Sequence, residues 1–179
     1  MVELDDLFGK REFARLLLFF IKNPSGGFSQ SEIQNKLKIA KATMVKWISE
    51  LERFSLINIK KQAVSKICSL NRSNIIIKQL KIVNNLLQLG KLKGISERHN
   101  LQIYLYGSCA RGEDVEESDI DLLVIGKAKK EDLIREINKV SDSINRKIAF
   151  EIFSPMQWSE MSQKDKAFYE RVEKDKVLL

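Results

Sequence analysis

Apolar residues recur at helical spacing through most of this chain and change to short strand-like runs in a few places. Lys10 to Lys22 predicts a helix with Phe13, Leu16, Leu17, Phe20 and Ile21 on one face, ended by Asn23-Pro24-Ser25-Gly26-Gly27. Ser29 caps a second helix through Leu37, with Glu32 completing a capping box and Ile33 and Leu37 facing inward. A short turn through Ile39-Ala40 leads to a third helix, Lys41 to Phe54, whose buried stripe is Met44, Trp47, Ile48 and Leu51. Leu56 to Lys60 and Val64 to Leu70 read as two short strands around Lys61-Gln62-Ala63.

Beyond a polar joint at Asn71 to Asn74, one long helix is expected from Ile75 to about Ser96. Ile76, Leu80, Ile82, Val83, Leu86, Leu87 and Leu89 give it a broad apolar face, suited to packing on a sheet, to joining two domains or to a dimer interface. Leu101 to Tyr106 and Ile120 to Ile125 are strands, the second apolar enough for burial on both faces. Glu131 to Arg146 is a helix burying Leu133, Ile134, Ile137, Val140 and Ile144, and Lys147 to Phe153 is a third strand. Ser154-Pro155 opens a short helical piece from Met156 to Met161, Lys164 to Lys174 is a final helix, and Val177 to Leu179 suits an edge strand. The pattern is α+β, with a joining helix at residues 75–96 and domains expected at 1–72 and 73–179.

The chemistry concentrates between the first two strands of the second half. Gly107 and Ser108 end one strand; Asp119 and Asp121 open the next, and alternation puts both carboxylates on one face. Two adjacent carboxylates repel unless a cation lies between them, and hard Mg²⁺ suits such oxygen ligands. Gly107 allows close backbone approach, and Ser108 offers a hydroxyl and an N–H to a phosphate, more so if a helix starts there. A plain β-hairpin with an acidic loop also accommodates these residues, but it does not account for Asp121 entering an apolar strand. Glu151 stands out in KIAFEIF: a carboxylate in so apolar a strand is costly unless paired or metal-bound.

Charge separates the chain into unlike parts. Residues 1–75 carry thirteen basic and seven acidic residues, residues 76–179 eighteen and seventeen, so nearly all of the net charge of +7 lies in the first part. That asymmetry points to a nucleic-acid-facing domain joined to one of another kind. No apolar run reaches the ~18 residues of a membrane span. Glu3, Asp5 and Asp6 stand where a signal peptide would be basic, so a cytoplasmic protein without membrane partner is expected. Cys68 and Cys109 are lone thiols suited to a reducing compartment, and the single histidine, His99, reads as a loop residue.

Gly107-Ser108, a ten-residue interval and Asp119-x-Asp121, with Ala110-Arg111-Gly112 between, resemble the signature of the DNA polymerase β-like nucleotidyltransferase superfamily, in its minimal nucleotidyltransferase branch. The resemblance implies transfer of a nucleoside monophosphate from an NTP such as ATP to an acceptor hydroxyl. Asp119 and Asp121 would bind two Mg²⁺ ions, and Glu151 would be the third carboxylate, where Asp is commoner, serving as metal ligand and general base. Gly107, Ser108 and Arg111 would hold the triphosphate. The domain leaves no room for a polymerase thumb, so single transfer rather than processive synthesis is expected. Domains of this branch often pair with a helical partner, and some act as antitoxins that adenylylate a toxin of the HEPN type.

Phe28 to Leu70 is similar to the DNA-binding domain of winged-helix transcription regulators, in Thr43, Lys46 and the run Leu51 to Ile57. Ala40 stands where a capping Ser is common there and Ser55 where Gly is common. The resemblance implies double-stranded DNA as partner, with Lys41, Thr43 and Lys46 at the major groove and Lys60, Lys61 and Lys66 on phosphates. It also implies a homodimer. Two other assignments stay open: a DNA-binding regulator whose nucleotidyltransferase-like domain only senses nucleotide or holds a protein, and an enzyme whose winged helix binds a protein.

Overall fold

The computed structural model describes residues 9–62 and 65–179. Glu3, Asp5 and Asp6, and the expected turn at Ala63 and strand start at Val64, lie outside the described residues. The chain packs as two compact units, residues 1–78 and 79–179.

The first unit contains α1 (Arg11–Lys22), β1 (Gly27–Ser29), α2 (Gln30–Leu37), α3 (Lys41–Arg53), β2 (Ile57–Gln62) and β3 (Ser65–Leu70), in a sheet of order β1-β3-β2. All pairs are antiparallel, the β2–β3 hairpin being the wing of a winged helix-turn-helix. The expected apolar stripe of α1 is buried whole. Arg15 ties α1 to the end of α2 by donating to the Leu37 carbonyl at 2.7 Å. Ser29 and Glu32 form the expected capping box. Trp47 is only half-buried; it meets Phe13 edge-on at 5.5 Å and carries Lys46 over its face at 4.8 Å.

At the end of α3, Ser55 occupies a position that favours Gly. Ser55 takes the left-handed conformation, φ 57°. The Leu56 amide then donates to Leu51 O at 2.9 Å and the Ser55 amide to Glu52 O at 2.8 Å, a Schellman closure. The side-chain Nδ2 groups of Asn71 and Asn74 donate back to the Ser55 carbonyl.

The expected single helix over 75–96 is two: α4 (Ile75–Gln88) and α5 (Lys91–His99). The break falls at Leu89-Gly90, where Leu89 is fully buried and Gly90 offers little helix propensity. The buried residues of α4 are Ile77, Lys81 and Asn85, whereas Val83 and Leu87 of the expected apolar face are 51 and 78 % exposed. His99 is no loop residue: it ends α5 and its Nε2 lies 2.7 Å from Glu136 Oε1.

The second unit is built on a four-stranded mixed sheet of order β6-β5-β4-β7. It comprises β4 (Gln102–Tyr106), the short α6 (Gly107–Ala110), β5 (Ile120–Ile125), α7 (Lys130–Ile144), β6 (Ile148–Phe153), α8 (Pro155–Lys164), α9 (Lys166–Asp175) and β7 (Val177–Leu178). β5 pairs antiparallel with β4 and parallel with β6. Ile103, Leu105, Ile120, Leu122 and Val124 face α5 and α7 in the larger core; Leu123 and Ile125 face Trp158 of α8 and Val172 of α9 in a smaller one. Ile134, expected inside, is 38 % exposed. The final helical stretch breaks at Asp165, whose carboxylate caps α9 through the Phe168 amide at 3.0 Å. Among the described residues no helix is long and apolar enough to cross a membrane.

Candidate functional site

Tyr106 is the cross-strand partner of Asp121, so the end of β4, the turn into α6 and the start of β5 meet at one point. Gly107 makes that turn at φ +73°. A Cβ on it would lie 2.8 Å from Asp121 Oδ2, so the carboxylate rests where only glycine leaves room. Asp119 and Asp121 lie on one face, next to each other, as strand alternation requires.

The electrostatics follow from this crowding. Burial raises the Asp121 carboxyl above its ordinary range, the Asp119 charge raises it further, and Arg171 and Lys147 oppose the shift. The Tyr106 hydroxyl is also raised, first by burial and then by Asp121 and Glu151. Lys147 Nζ donates to Asp119 Oδ2 at 2.6 Å, and this contact raises the lysine. Lys147 and Arg171 are therefore the cations beside the acidic pair, and sequence reasoning assigned neither of them a role. The signal for Lys147 was register: Ile120 pairs with Ile148, which sets the preceding residues, Asp119 and Lys147, side by side.

The other expected site residues separate into those that join the pair and those that do not. Glu151 is on the same face, but in register with Leu123, whereas Ala149 aligns with Asp121. It thus stands about 7 Å farther along the sheet than the Asp121 position. Its side chain is exposed, which removes the burial cost that had singled it out. Among the described residues no three His, Cys, Asp or Glu side chains gather as a metal-holding group. Arg111 is not turned to an open phosphate site; its Nε donates to Glu113 at 2.9 Å and its Nη1 to Asp175 at 2.7 Å. Ser108 is half-buried in α6, its carbonyl accepting from the Glu113 amide at 2.9 Å.

An aromatic wall adjoins the pair. Tyr106 meets Phe168 at 6.1 Å, and Trp158 meets both Phe168 and Phe153 at 5.9 and 5.4 Å. Arg171 lies over Phe168 at 5.4 Å. The site is thus a carboxylate pair with two cations and an aromatic flank whose rings meet edge to face, able to hold a hard cation and a polyphosphate.

In the first unit, Lys41 and Lys46 are exposed on α3 and Thr43 is half-buried. Lys60, Lys61 and Lys66 are all exposed, and Lys61 and Lys66 stand directly opposite each other across the hairpin. Like charges so placed repel, and a bound phosphate would relieve them.

Residues 89–177 match the model of the family described as nucleotidyltransferase domain, a stretch that includes every residue of the acidic site. That part of the chain is similar to nucleotidyltransferase domains. Among solved structures, the chain is similar to MepR, a transcription regulator of the Staphylococcus aureus multidrug efflux pump MepA. The two share 15 % identity over 79 % of this chain and 82 % of MepR, with a TM-score of 0.42. TrmBL2, an archaeal chromatin protein described as showing a novel mode of DNA binding, matches 90 % of this chain and 70 % of its own, at 12 % identity and a TM-score of 0.26. No curated protein matches the chain.

Proposed function

We propose that the second unit transfers a nucleoside monophosphate from an Mg²⁺-bound NTP to an acceptor hydroxyl, releasing pyrophosphate, and that the winged helix binds double-stranded DNA. The observation that carries the first part is the Asp119–Asp121 pair packed against a glycine that no larger residue can replace without displacing it. The donor set suits Mg²⁺, which is commonly held by one or two carboxylates together with substrate phosphates rather than by a full protein cage. A third protein ligand is therefore not required, and Glu151 serves as ligand or base only when its exposed side chain turns toward the pair. When bound, Mg²⁺ supplies charge neutralisation between the phosphates.

The chain's own residues do the rest. Asp119 and Asp121 orient the metal-bound triphosphate, and Gly107 and Ser108 let its phosphates approach the backbone closely. Lys147 exchanges its bond to Asp119 for one to a phosphate oxygen, and Arg171 meets charge on the leaving side. Phe168 and Tyr106 give the base an apolar surface. Burial and the Asp119 charge hold Asp121 above the usual carboxylate range, a shift that a bound cation would oppose. The resemblance set out above suggests a cytoplasmic, antitoxin-like regulator whose acceptor is a helical protein of the HEPN type, and a homodimer on DNA.

Calorimetry with ATP and Mg²⁺, followed by label transfer from the NTP, tests this. Wild type should bind ATP only with the metal, and Asp119→Asn/Asp121→Asn should abolish both binding and transfer. Metal-independent binding, or no binding, sinks the transfer assignment. The Lys61–Lys66 pairing supports duplex binding, which a second reading also keeps: a DNA-binding regulator that only senses nucleotide. In it, duplex binding survives the aspartate changes, and Lys41→Ala/Lys46→Ala lowers the salt slope by roughly 2.

A further inference from the structure

The buried charges of the second unit lie behind the acidic face. Lys81, Asn85 and Asp114 are 3, 2 and 4 % exposed. Lys81 Nζ is 3.1 Å from Asp114 Oδ1 and also donates to the Asp114 carbonyl. Arg146 Nη2 is 3.2 Å from Asp114 Oδ2, and its Nη1 donates to Asn85 Oδ1 at 3.2 Å. The Asn85 amide donates to Asp114 Oδ1 at 3.2 Å and to the Cys109 carbonyl at 3.1 Å. Two cations and a carboxylate here are not a stabilising choice, because apolar side chains of similar volume do as well or better. What they supply is position.

The fixed point is Asp119. Arg146 Nη2 also donates to the Ser118 carbonyl at 3.1 Å and to Cys109 Sγ at 3.3 Å. The Cys109 thiol in turn donates to the Asp119 carbonyl at 3.5 Å. The peptide groups on both sides of the Asp119 Cα are thereby held, one directly and one through sulfur. Cys109 belongs to α6, which also contains Gly107 and Ser108. We propose that Arg146 is a positioning residue: with Cys109 it locks the Ser118–Asp119–Ile120 backbone against Gly107 and Ser108, and Asp114, gripped by Lys81 and Asn85, locks Arg146. The contacts run through both Nη atoms, so a single ammonium cannot replace them. That the locked backbone serves transfer rests on the function proposed above; that it is locked does not.

Amide hydrogen exchange on the full chain tests the lock. The Ile120 amide donates to the Lys147 carbonyl at 2.9 Å and is the reporter. In Arg146→Gln and Arg146→Lys its exchange should rise by roughly tenfold or more, while amides of residues 102–106 keep their rates. Cys109→Ser, which retains a donor, should stay near wild type, and Cys109→Ala should follow Arg146→Gln. In label transfer, Arg146→Lys should lower kcat by about tenfold with the KM for NTP within about twofold. Unchanged Ile120 exchange in a folded Arg146 variant overturns the proposal. If neither Arg146 variant folds, the Cys109 pair decides, and equal exchange in Ser and Ala overturns it. A wild type without transfer activity sinks the transfer assignment alone, since the exchange rates judge the lock by themselves.

Discussion

Replacing Gly107 by alanine should damage the second unit in two separable ways. Gly107 sits at φ +73°, a conformation that costs an L residue about 1–2 kcal/mol. The new Cβ would also lie 2.8 Å from Asp121 Oδ2, and moving the carboxylate clear forces its side chain off its rotamer, about 0.5–1.5 kcal/mol. Together the substitution should cost about 1.5–3.5 kcal/mol in the wild-type background. In Asp121→Ala the contact atom is gone, so only the backbone cost of about 1–2 kcal/mol remains. The coupling between the two changes should therefore be about 0.5–1.5 kcal/mol. Urea unfolding followed by Trp158 fluorescence, in a Trp47→Phe background so that only the second unit reports, measures all four corners. Equal cost of Gly107→Ala with and without the Asp121 carboxylate would refute the close packing. A cost under about 0.5 kcal/mol in both would refute the left-handed turn itself.

Two further predictions concern the rest of the molecule. Ser55→Gly should stabilise the first unit by about 0.5–1 kcal/mol, because Ser55 holds a left-handed φ of 57° while its side chain makes no part of the Schellman closure; a lowered urea midpoint by Trp47 fluorescence would contradict this. Burial pushes the Cys68 and Cys109 thiols up to about 11 from 9.0. The unfolded chain then loses these protons first, so the stability they contribute is complete below about pH 9 and is lost as pH rises toward about 11, on the order of 2 kcal/mol per thiol. Urea midpoints between about pH 8 and about pH 10.5 should fall less steeply in Cys109→Ser, and an unaltered slope would rule out the buried thiol as the cause.

The amphipathic helices of the first unit were legible because each keeps a continuous apolar stripe and has a breaker or cap at its ends; Ser29 with Glu32 is the clearest case. β1 was not, since Gly27–Ser29 is three residues long and owes its strand conformation to pairing with β3. Residues 75–96 misled because periodicity counts apolar positions without knowing what they meet: the buried side of α4 goes to Lys81 and Asn85, which find partners in Asp114 and Cys109. The acidic pair was readable from spacing alone, since two carboxylates at i and i+2 at the head of an apolar strand share a face. Its neighbours were not. Lys147 is placed by parallel register and Arg171 by the packing of α9, and neither leaves a local pattern. For Glu151 the strand and the face were legible but the register was not, and register sets it two positions along from Ala149, the partner of Asp121.

The position of β5 in the middle of the sheet limits how this chain can vary in length. Ile120, Leu122 and Val124 fill one core and Leu123 and Ile125 the other, with neighbours hydrogen-bonded on both sides. Inserting or deleting a single residue between Asp119 and Asp121 would turn one carboxylate into the larger core and an aliphatic side chain out of it. A change of two residues would keep the faces but slide every backbone pairing with β4 and β6. Between Val115 and Ser118, where the chain turns through exposed Glu116 and Glu117, the same changes leave the pairing of β4, β5 and β6 in register. Length differences among related chains should therefore accumulate there, and the reading frame of the strand should stay rigid.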